Sequence, residues 1–190
     1  MSQYPPVYIL RHGETSWNAQ GRLQGRYDSP LTVRGRAQAR LQNDILSGLE
    51  LSDYEAYSSP QGRAFHTASL ALNGVVDTIH TDTALSEIGV GDWAGELRDP
   101  LIKRYAVRDG FDLYERAPGG EGFAALEARC RRFLQGLEHP AVLVTHGLTS
   151  RMLRIVLQNK NVDALRVVGG GQGVVFHVEN GKQKRLTKSA

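Results

Sequence analysis

Two histidines stand at matching positions at the ends of apolar segments. His12 follows Ile9-Leu10-Arg11, His146 follows Leu143-Val144-Thr145, and a glycine comes directly after each histidine. If both segments are buried parallel strands, both imidazoles lie at the carboxyl edge of one sheet, where ligands bind in open α/β folds. The glycine lets a ligand approach closely, and the N–H groups at the start of a following helix favour an anion. The repeated pattern therefore predicts an anion site.

Two arginines and an asparagine accompany these histidines. Arg11 directly precedes His12, and Arg63 falls in the first turn of a helix that follows the predicted second strand. Together with the amide of Asn18 and the two imidazoles, the guanidinium groups supply about ten N–H donors. Because guanidinium groups bind phosphate oxygens with paired N–H bonds, we interpret the cluster as a phosphate pocket.

A phosphoryl group held in this pocket needs a nucleophile, and His12 suits that role. A neutral imidazole nitrogen can attack phosphorus and carry the phosphoryl group covalently. The flanking arginine charges disfavour imidazolium, which keeps the attacking nitrogen free. The leaving alcohol then needs a proton. Glu87, just before the turn Gly89-Val90-Gly91-Asp92, and Glu14 both remain candidates for this acid on the residues alone.

Other kinds of site receive little support. Cys130 is the only cysteine and falls on an apolar helical stripe, so we predict a core thiol and no multi-thiolate metal site. The remaining histidines lack metal-ligand spacing, so no metal site is predicted. The segment Gly169-Gly170-Gly171-Gln172-Gly173 precedes a strand and lacks a following Lys-Ser/Thr, which excludes a phosphate-binding P-loop and predicts a flexible loop.

Composition limits the class of protein. A chain of 190 residues, 41% hydrophobic, predicts one domain over residues 1–190. Arginine accounts for 18 of the 23 basic residues, but acidic residues interrupt them everywhere, so a nucleic-acid partner is not expected. No apolar run approaches the roughly 20 residues of a membrane span, and the amino terminus has no signal-peptide pattern. We therefore predict a cytoplasmic protein without a membrane partner.

Short apolar segments alternate with segments of helical period, which is typical of an α/β fold. We predict a three-layer α/β/α architecture with a mostly parallel central sheet, closed by an antiparallel C-terminal hairpin around Asn180-Gly181. The predicted strands are Val7–Leu10, Glu55–Ser58, Val75–Thr81, Ala141–Val144, Val174–Val178 and Gln183–Thr187.

Four helices are predicted around this sheet. The first begins at the N-cap Thr32 and runs to about Leu49, with Ala37, Leu41 and Ile45 on its inner face. The second begins after Pro60 and has Ala64, Ala68 and Leu72 on one face. The third covers Glu121–Leu137 and the fourth covers Leu148–Leu157.

The stretch at about 88–120 is predicted as an excursion over the active-site edge of the sheet. Loops 20–29 and 98–118 are expected to set specificity. For five arginines in these loops the sequence leaves two roles open, which are to bind a second anion or to face water. They are Arg22, Arg26, Arg98, Arg104 and Arg108.

The run Arg11-His12-Gly13-Glu14-Thr15-x-Trp17-Asn18 resembles the signature of the histidine phosphatase superfamily, in its phosphoglycerate-mutase-like branch. The resemblance continues across the chain in these blocks: Arg22-x-x-Gly25-x-x-Asp28-x-x-Leu31-Thr32-x-x-Gly35, Ser58-Ser59-Pro60-x-x-Arg63-Ala64-x-x-Thr67, Leu85-x-Glu87-x-x-x-Gly91-x-Trp93-x-Gly95, Pro118-Gly119-Gly120-Glu121 and Thr145-His146-Gly147.

The resemblance implies a phosphoglycerate-mutase-like fold and a small phosphomonoester as substrate. It makes His12 the phosphorylated nucleophile and Glu87, rather than Glu14, the proton donor. It further implies that no metal or organic cofactor is needed, and members of the family are often homodimers. The phosphate-binding residues implied by the resemblance are Arg11, Arg63, His146, Gly147, Asn18 and the backbone of Gln24 and Gly25.

Within that family, this sequence departs from the cofactor-dependent mutases. Those enzymes carry a tyrosine three residues after the acid, where Val90 stands here, and an Arg-Arg pair that is missing between Glu87 and Gly120. Arg98 falls where the mutases have a lysine. These departures favour a phosphatase. The alternatives are a cofactor-dependent phosphoglycerate mutase and a non-catalytic phosphate-binding regulatory module.

Overall fold

A six-stranded mixed sheet forms the centre of the molecule, whose computed structural model describes residues 4–188. The order across the sheet is β3-β2-β4-β1-β5-β6. Strands β1 to β4 run parallel, whereas β5 pairs antiparallel with both β1 and β6. The strands are β1 Val7–Arg11, β2 Glu55–Ser58, β3 His80–Thr81, β4 Ala141–Thr145, β5 Val175–Glu179 and β6 Lys182–Leu186.

Helices cover both faces of this sheet. Because side chains alternate along a strand, Ile9 and Leu143 pack on the side of α6 and α7, and Leu10 and Val144 pack on the side of α2 and α3. The predicted three-layer α/β/α fold with its antiparallel C-terminal pair is confirmed. The helices are α1 Ser16–Ala19, α2 Val33–Leu46, α3 Gly62–Ala71, α4 Arg98–Arg104, α5 Gly110–Arg116, α6 Gly122–Gln135 and α7 Gly147–Leu157.

The inner face of α2 differs from the prediction, and the helix ends at Leu46 rather than near Leu49. Ala37 is exposed and Leu41 and Ile45 are only partly buried. Two contacts with backbone carbonyls determine which face of the helix is buried. A Cβ at Gly35 would overlap the Glu14 carbonyl, so only glycine permits this approach, and the Gln42 amide donates to the Arg11 and Val174 carbonyls. The face that is buried consists of Gly35, Ala39, Gln42 and Leu46.

The third strand is much shorter than the predicted Val75–Thr81, because only His80–Thr81 pairs with β2. The N–H groups of Val75 and Val76 instead bind the Leu72 carbonyl, in a turn where Gly74 has a φ of +70°. Their side chains still pack against the core on the side of α3. Apolar residues here therefore fill the core without joining the sheet.

The remaining predicted elements are close to the observed ones. Helix α3 begins at Gly62 with Gln61 as its N-cap, so Pro60 lies outside it, and Leu72 caps the other end. Helix α6 lies within the predicted Glu121–Leu137. Cys130 is a buried core thiol, as predicted, and burial raises its pKa to about 12.

The stretch 88–120 contains α4 and α5 and forms a small apolar cluster together with Leu23. Arg166, after α7, forms ion pairs with Asp109 and Asp112 at the start of α5. This contact holds α5 beside the first turns of α7. The cluster consists of Leu23, Val90, Trp93, Leu101, Val107, Leu113 and Ala117. Within residues 4–188, no helix has the length and apolar character of a bilayer span.

Candidate active site

The ends of β1 and β4 bring the two sequence-predicted histidines together. Arg11 pairs with Thr145 in the parallel register, and the His12 N–H donates to the Thr145 carbonyl at 2.9 Å. Just beyond this pairing, the ring centroids of His12 and His146 lie 5.1 Å apart, and the two ring planes are inclined at 61° to each other. Both residues are buried.

The hydrogen bond of His12 determines which ring nitrogen is free. Its Nδ1 lies 2.7 Å from the Gly13 carbonyl oxygen. A carbonyl can only accept, so Nδ1 carries the proton and Nε2 keeps its lone pair in the neutral ring. Burial, followed by the charges of Arg11 and Arg63, lowers the pKa of His12 well below 6.5. At neutral pH the ring therefore presents an uncharged nucleophilic nitrogen.

His146 is oriented through Ser59. The Ser59 hydroxyl accepts the Gln61 N–H and lies 2.8 Å from Nε2 of His146. We assign the hydroxyl proton to this second bond, which leaves the ring proton on Nδ1. That Nδ1 is buried and has no partner in the protein. Burial, and next the charge of Arg63, lowers the pKa of His146 well below 6.5.

The guanidinium of Arg63 is fixed on one side only. Its Nη1 donates to the Tyr27 carbonyl at 2.7 Å and to the Asp28 carboxylate at 3.1 Å, and Nη2 donates to the Gly25 carbonyl at 3.0 Å. Its Nε is buried without a partner. Burial lowers the pKa of Arg63, while Glu87 and Asp28 oppose that shift. The side chain remains a cation, and two of its five N–H donors are unused, the one on Nε and the second one on Nη2.

Arg11 completes a set of three unpaired donors. Its Nε is buried without a partner, as are Nε of Arg63 and Nδ1 of His146. Buried polar groups nearly always have a hydrogen-bond partner, so three such donors in one cluster require an explanation. An oxyanion between them would accept all three bonds. Gly147 adjoins both Arg11 and Glu87, since a Cβ there would lie 3.4 Å from the Arg11 Cζ and 3.4 Å from the Glu87 carboxylate.

Glu87 is held at the start of α7. Its Oε2 accepts the Leu148 N–H and its Oε1 accepts the Thr149 N–H, each at 3.2 Å, while the Thr149 hydroxyl donates to the adjacent Ser86 carbonyl at 2.7 Å. Glu14, the competing acid, instead accepts from Thr32 at 2.9 Å and pairs with Arg34 at the start of α2. The structure therefore sets Glu87, and not Glu14, beside Gly147 and Arg11.

The other predicted phosphate contacts, Asn18, Gln24 and Gly25, use some of their polar groups for bonds within the protein. Asn18 accepts the Thr15 N–H through Oδ1, which leaves its NH₂ group as a donor. The Gln24 side chain bridges Thr15 and Ser29. The Gly25 carbonyl accepts from Arg63 and so positions that arginine. In the backbone of Gln24 and Gly25, only the N–H groups could bind phosphate, because a carbonyl oxygen cannot donate.

Several residues that support the site were not predicted as site residues. Gln172 donates to the His12 carbonyl at 3.1 Å, and the Gly13 N–H donates to Thr67 at 3.0 Å. Ser59 and Thr67 belong to the block Ser58-Ser59-Pro60-x-x-Arg63-Ala64-x-x-Thr67 of the family resemblance, which could have identified them. Gln172 had none, because it contacts His12 across 160 positions of the chain.

A cavity of about 160 Å³ adjoins Glu87 on the side of α5. Arg98, one of the five open arginines, lines it, whereas Arg22, Arg26, Arg104 and Arg108 do not. Arg151 lines it as well and was also missed. Its walls are Arg11, Glu87, Arg98, Gly110, Phe111, Tyr114, Gly147, Leu148 and Arg151. In the described part of the chain, no three His, Cys, Asp or Glu side chains are grouped to hold a metal ion.

Comparison with known proteins agrees with this geometry. Residues 7–188 match the sequence model of the histidine phosphatase superfamily (branch 1). A relative from Salmonella choleraesuis named "probable phosphoglycerate mutase GpmB" is 35% identical over 153 residues, which cover 75% of this chain and 69% of that protein.

Two solved structures are similar over nearly the whole chain. The α-ribazole phosphatase of Shigella flexneri has a TM-score of 0.80 and 26% identity, and the match covers 96% of this chain and 95% of that one. A mycobacterial glucosyl-3-phosphoglycerate phosphatase has a TM-score of 0.79 and 26% identity, covering 96% and 98%.

Proposed function

Because the chain belongs to the histidine phosphatase superfamily, we propose that it is a metal-independent phosphomonoesterase that works through a phosphohistidine on His12. The observation that carries this proposal is the set of three buried nitrogen atoms without a partner, Nε of Arg11, Nε of Arg63 and Nδ1 of His146, in the cluster that contains His12 with its free Nε2. They suit the three non-bridging oxygens of a phosphoryl group, and the two guanidinium groups neutralise its charge.

In the first step, Nε2 of His12 attacks phosphorus and the bond from phosphorus to the ester oxygen breaks. Glu87, as the carboxylic acid, transfers its proton to that oxygen, so the alcohol leaves neutral. The phosphoryl group is then bonded to Nε2, with Nδ1–H still bound to the Gly13 carbonyl. Glu87 is left as a carboxylate.

In the second step, the Glu87 carboxylate takes a proton from water as the water oxygen attacks phosphorus. The bond from Nε2 to phosphorus breaks, which returns neutral His12 and releases inorganic phosphate. The same two side chains thus act in both halves of the cycle, and each proton is accounted for.

A mutase is the second candidate, and the relative named as a phosphoglycerate mutase favours it. Hydrolysis is favoured by the similarity to two phosphatases and by Val90, which stands where cofactor-dependent mutases carry a tyrosine. Without the Arg-Arg pair, the phosphoenzyme has fewer groups to retain a bisphosphate, so water should accept the phosphoryl group. The substrate is a small phosphorylated metabolite in either case.

The test is release of inorganic phosphate from a panel of phosphomonoesters in excess EDTA, with isomerisation of 3-phosphoglycerate followed in parallel. Phosphate release together with acid-labile labelling of His12 by a ³²P-ester is the expected result. Isomerisation with little release would establish the mutase instead. Binding of phosphate without either reaction would favour the non-catalytic module.

A further inference from the structure

An ion pair adjoins the segment that carries Glu87. It joins Arg129, in the middle of α6, to Glu121, the residue directly before that helix, and both side chains are largely buried. Nε of Arg129 donates to Oε1 of Glu121 at 2.6 Å, and Nη2 donates to Oε2 at 3.1 Å. Paired bonds between a guanidinium group and a carboxylate fix the orientation of both groups. The remaining N–H groups of Arg129 therefore point in a fixed direction.

The two members of the pair hold the backbone on both sides of Glu87. Nη2 of Arg129 donates to the Ser86 carbonyl at 2.8 Å, and Nη1 donates to the carbonyl two residues earlier at 2.5 Å. On the other side, Oε2 of Glu121 accepts the Gly89 N–H at 3.2 Å, and the Glu121 N–H donates to the Gly89 carbonyl at 2.9 Å. The ion pair thus binds the chain directly before Glu87 and two residues after it.

The segment depends on such contacts because Glu87 lies in neither a helix nor a strand. It falls between the 3₁₀ turns Thr83–Leu85 and Gly91–Trp93. Neutral side chains also hold it, since Gln61 accepts the Glu87 N–H at 2.8 Å and the Thr149 hydroxyl donates to the preceding carbonyl at 2.7 Å. Hydrogen bonds from a guanidinium group are charge-assisted and stronger than such neutral ones. The ion pair is therefore the strongest of these restraints on the backbone of Glu87.

Arg129 acts on this segment and not on the substrate, because it does not line the cavity beside Glu87. Burial alone would lower the pKa of Arg129, but its bonds to Glu121 outweigh burial and raise the pKa. The guanidinium group therefore stays charged at neutral pH. The Glu121 carboxylate balances that charge, so the pair holds the backbone without adding net charge beside the acid.

We propose that the ion pair of Arg129 and Glu121 positions Glu87 for proton transfer to the leaving oxygen. This inference rests on the proposed function, in which Glu87 is the general acid. Proton transfer requires the carboxyl group within hydrogen-bond reach of that oxygen. A displacement of about 1 Å can cost a reaction on the order of 10²-fold. Arg129 and Glu121 are thus positioning residues that act through Glu87 without contacting the reacting atoms.

The dependence of the rate on the leaving group tests this role. The general acid is needed for an alkyl phosphate but not for p-nitrophenyl phosphate, whose leaving group departs without a proton. Arg129→Met should therefore lower kcat/KM about 10- to 100-fold with an alkyl phosphate that the unsubstituted enzyme hydrolyses, and less than about threefold with p-nitrophenyl phosphate. A variant that is merely less well folded would lower kcat/KM by the same factor with both esters.

A charge-balanced variant separates positioning from stability. Removal of Arg129 alone leaves the Glu121 carboxylate without its partner, whereas removal of both charges from a buried pair is often nearly neutral for stability. The double variant Arg129→Met, Glu121→Gln should keep the circular dichroism spectrum and still lose activity selectively with the alkyl phosphate. The matched control is Arg131→Gln, which breaks a more exposed ion pair with Glu127 on the same helix. It should change kcat/KM less than about twofold with either ester.

The Glu87→Gln protein shows whether the effect passes through Glu87. In that background Arg129→Met should lower kcat/KM equally with both esters, because no acid remains to be positioned. Equal losses with both esters in the charge-balanced variant, or no loss at all, would overturn the positioning role and leave the proposed function intact. If Glu87→Gln itself lowers kcat/KM equally with both esters, or if the unsubstituted enzyme hydrolyses neither ester, the proposed function fails together with this inference.

Discussion

The two sides of the candidate active site are built differently: the phosphate side around His12, Arg63 and His146, and the alcohol side around the cavity next to Glu87. On the phosphate side, His12, Arg63 and His146 are buried, and hydrogen bonds to backbone or to Ser59 hold each of them beside the sheet. On the alcohol side, Arg98 is exposed, and α5 is anchored through the ion pairs of Arg166.

The difference assigns separate tasks to the two sides. Groups on rigid, buried elements keep the geometry that a chemical step requires, whereas surface segments tolerate variation. We therefore expect changes on the phosphate side to reduce turnover of every ester. Changes on the alcohol side should alter KM and the choice among esters.

The largest expected effect comes from the nucleophile. His12→Ala should lower kcat on the order of 10⁵- to 10⁶-fold for every ester, since loss of a covalent nucleophile costs about that much in other enzymes. Steady-state phosphate release measures it, with circular dichroism to check folding. His66→Ala, at an exposed position on α3, is the matched control. A loss below about tenfold would show that the chemistry does not pass through His12.

Glu87→Gln should distinguish proton transfer from positioning. We expect kcat/KM, which reports the step that phosphorylates His12, to fall about 10²- to 10⁴-fold with alkyl phosphates, as is typical for loss of a general acid. The loss of kcat/KM should be smaller with p-nitrophenyl phosphate, because p-nitrophenolate leaves without a proton. Glu96→Gln, at an exposed glutamate, is the control. Equal losses of kcat/KM with both leaving groups would mean that Glu87 does not donate a proton to the leaving oxygen.

The free energy of unfolding should decrease on acidification because His12 and His146 on the phosphate side are buried. Burial lowers the pKa of both His12 and His146 well below 6.5 in the folded protein, while the unfolded chain titrates near 6.5. Below that pH the unfolded chain binds more protons, so the free energy of unfolding falls as the pH falls. Each histidine contributes at most about 1.4 kcal/mol per pH unit.

Urea unfolding at pH 7.5 and pH 5.5 measures this effect. His146→Gln should flatten the dependence, whereas His139→Gln, at an exposed position, should not. Identical pH dependence in the His146→Gln protein and its parent would contradict a neutral buried His146.

The smallest expected effect lies on the alcohol side. Arg166→Gln removes the ion pairs that anchor α5. KM should therefore rise about twofold to fivefold while kcat stays nearly constant, because exposed ion pairs contribute little free energy. Initial rates over a range of ester concentrations separate the two constants. Arg131→Gln, which breaks an ion pair within α6, is the control. A fall in kcat alone would place Arg166 on the chemical step and remove the division between the two sides.

The elements that carry the phosphate side were predictable because their signal is local. β1 and β4 are short continuous apolar segments, and α7 follows at once from Gly147. β3 was mispredicted because Val75 and Val76 are apolar yet lie in a turn after α3. The inner face of α2 was mispredicted because Gly35 and Gln42, which carry no apolar signal, make the close contacts.

The types of group that the proposed phosphoryl transfer uses were predictable from the sequence alone, since Arg11, His12, Arg63 and His146 stand in recognisable local patterns. Local patterns left Glu87 and Glu14 open as the acid, and the resemblance favoured Glu87. Tertiary structure decided how they are used. It freed Nε2 of His12 and left Nδ1 of His146 without a partner. It also brought Arg98 and Arg151 to one cavity. The physical reason is that a hydrogen bond or a charge pair depends on distances between residues far apart in the chain, which local patterns do not contain.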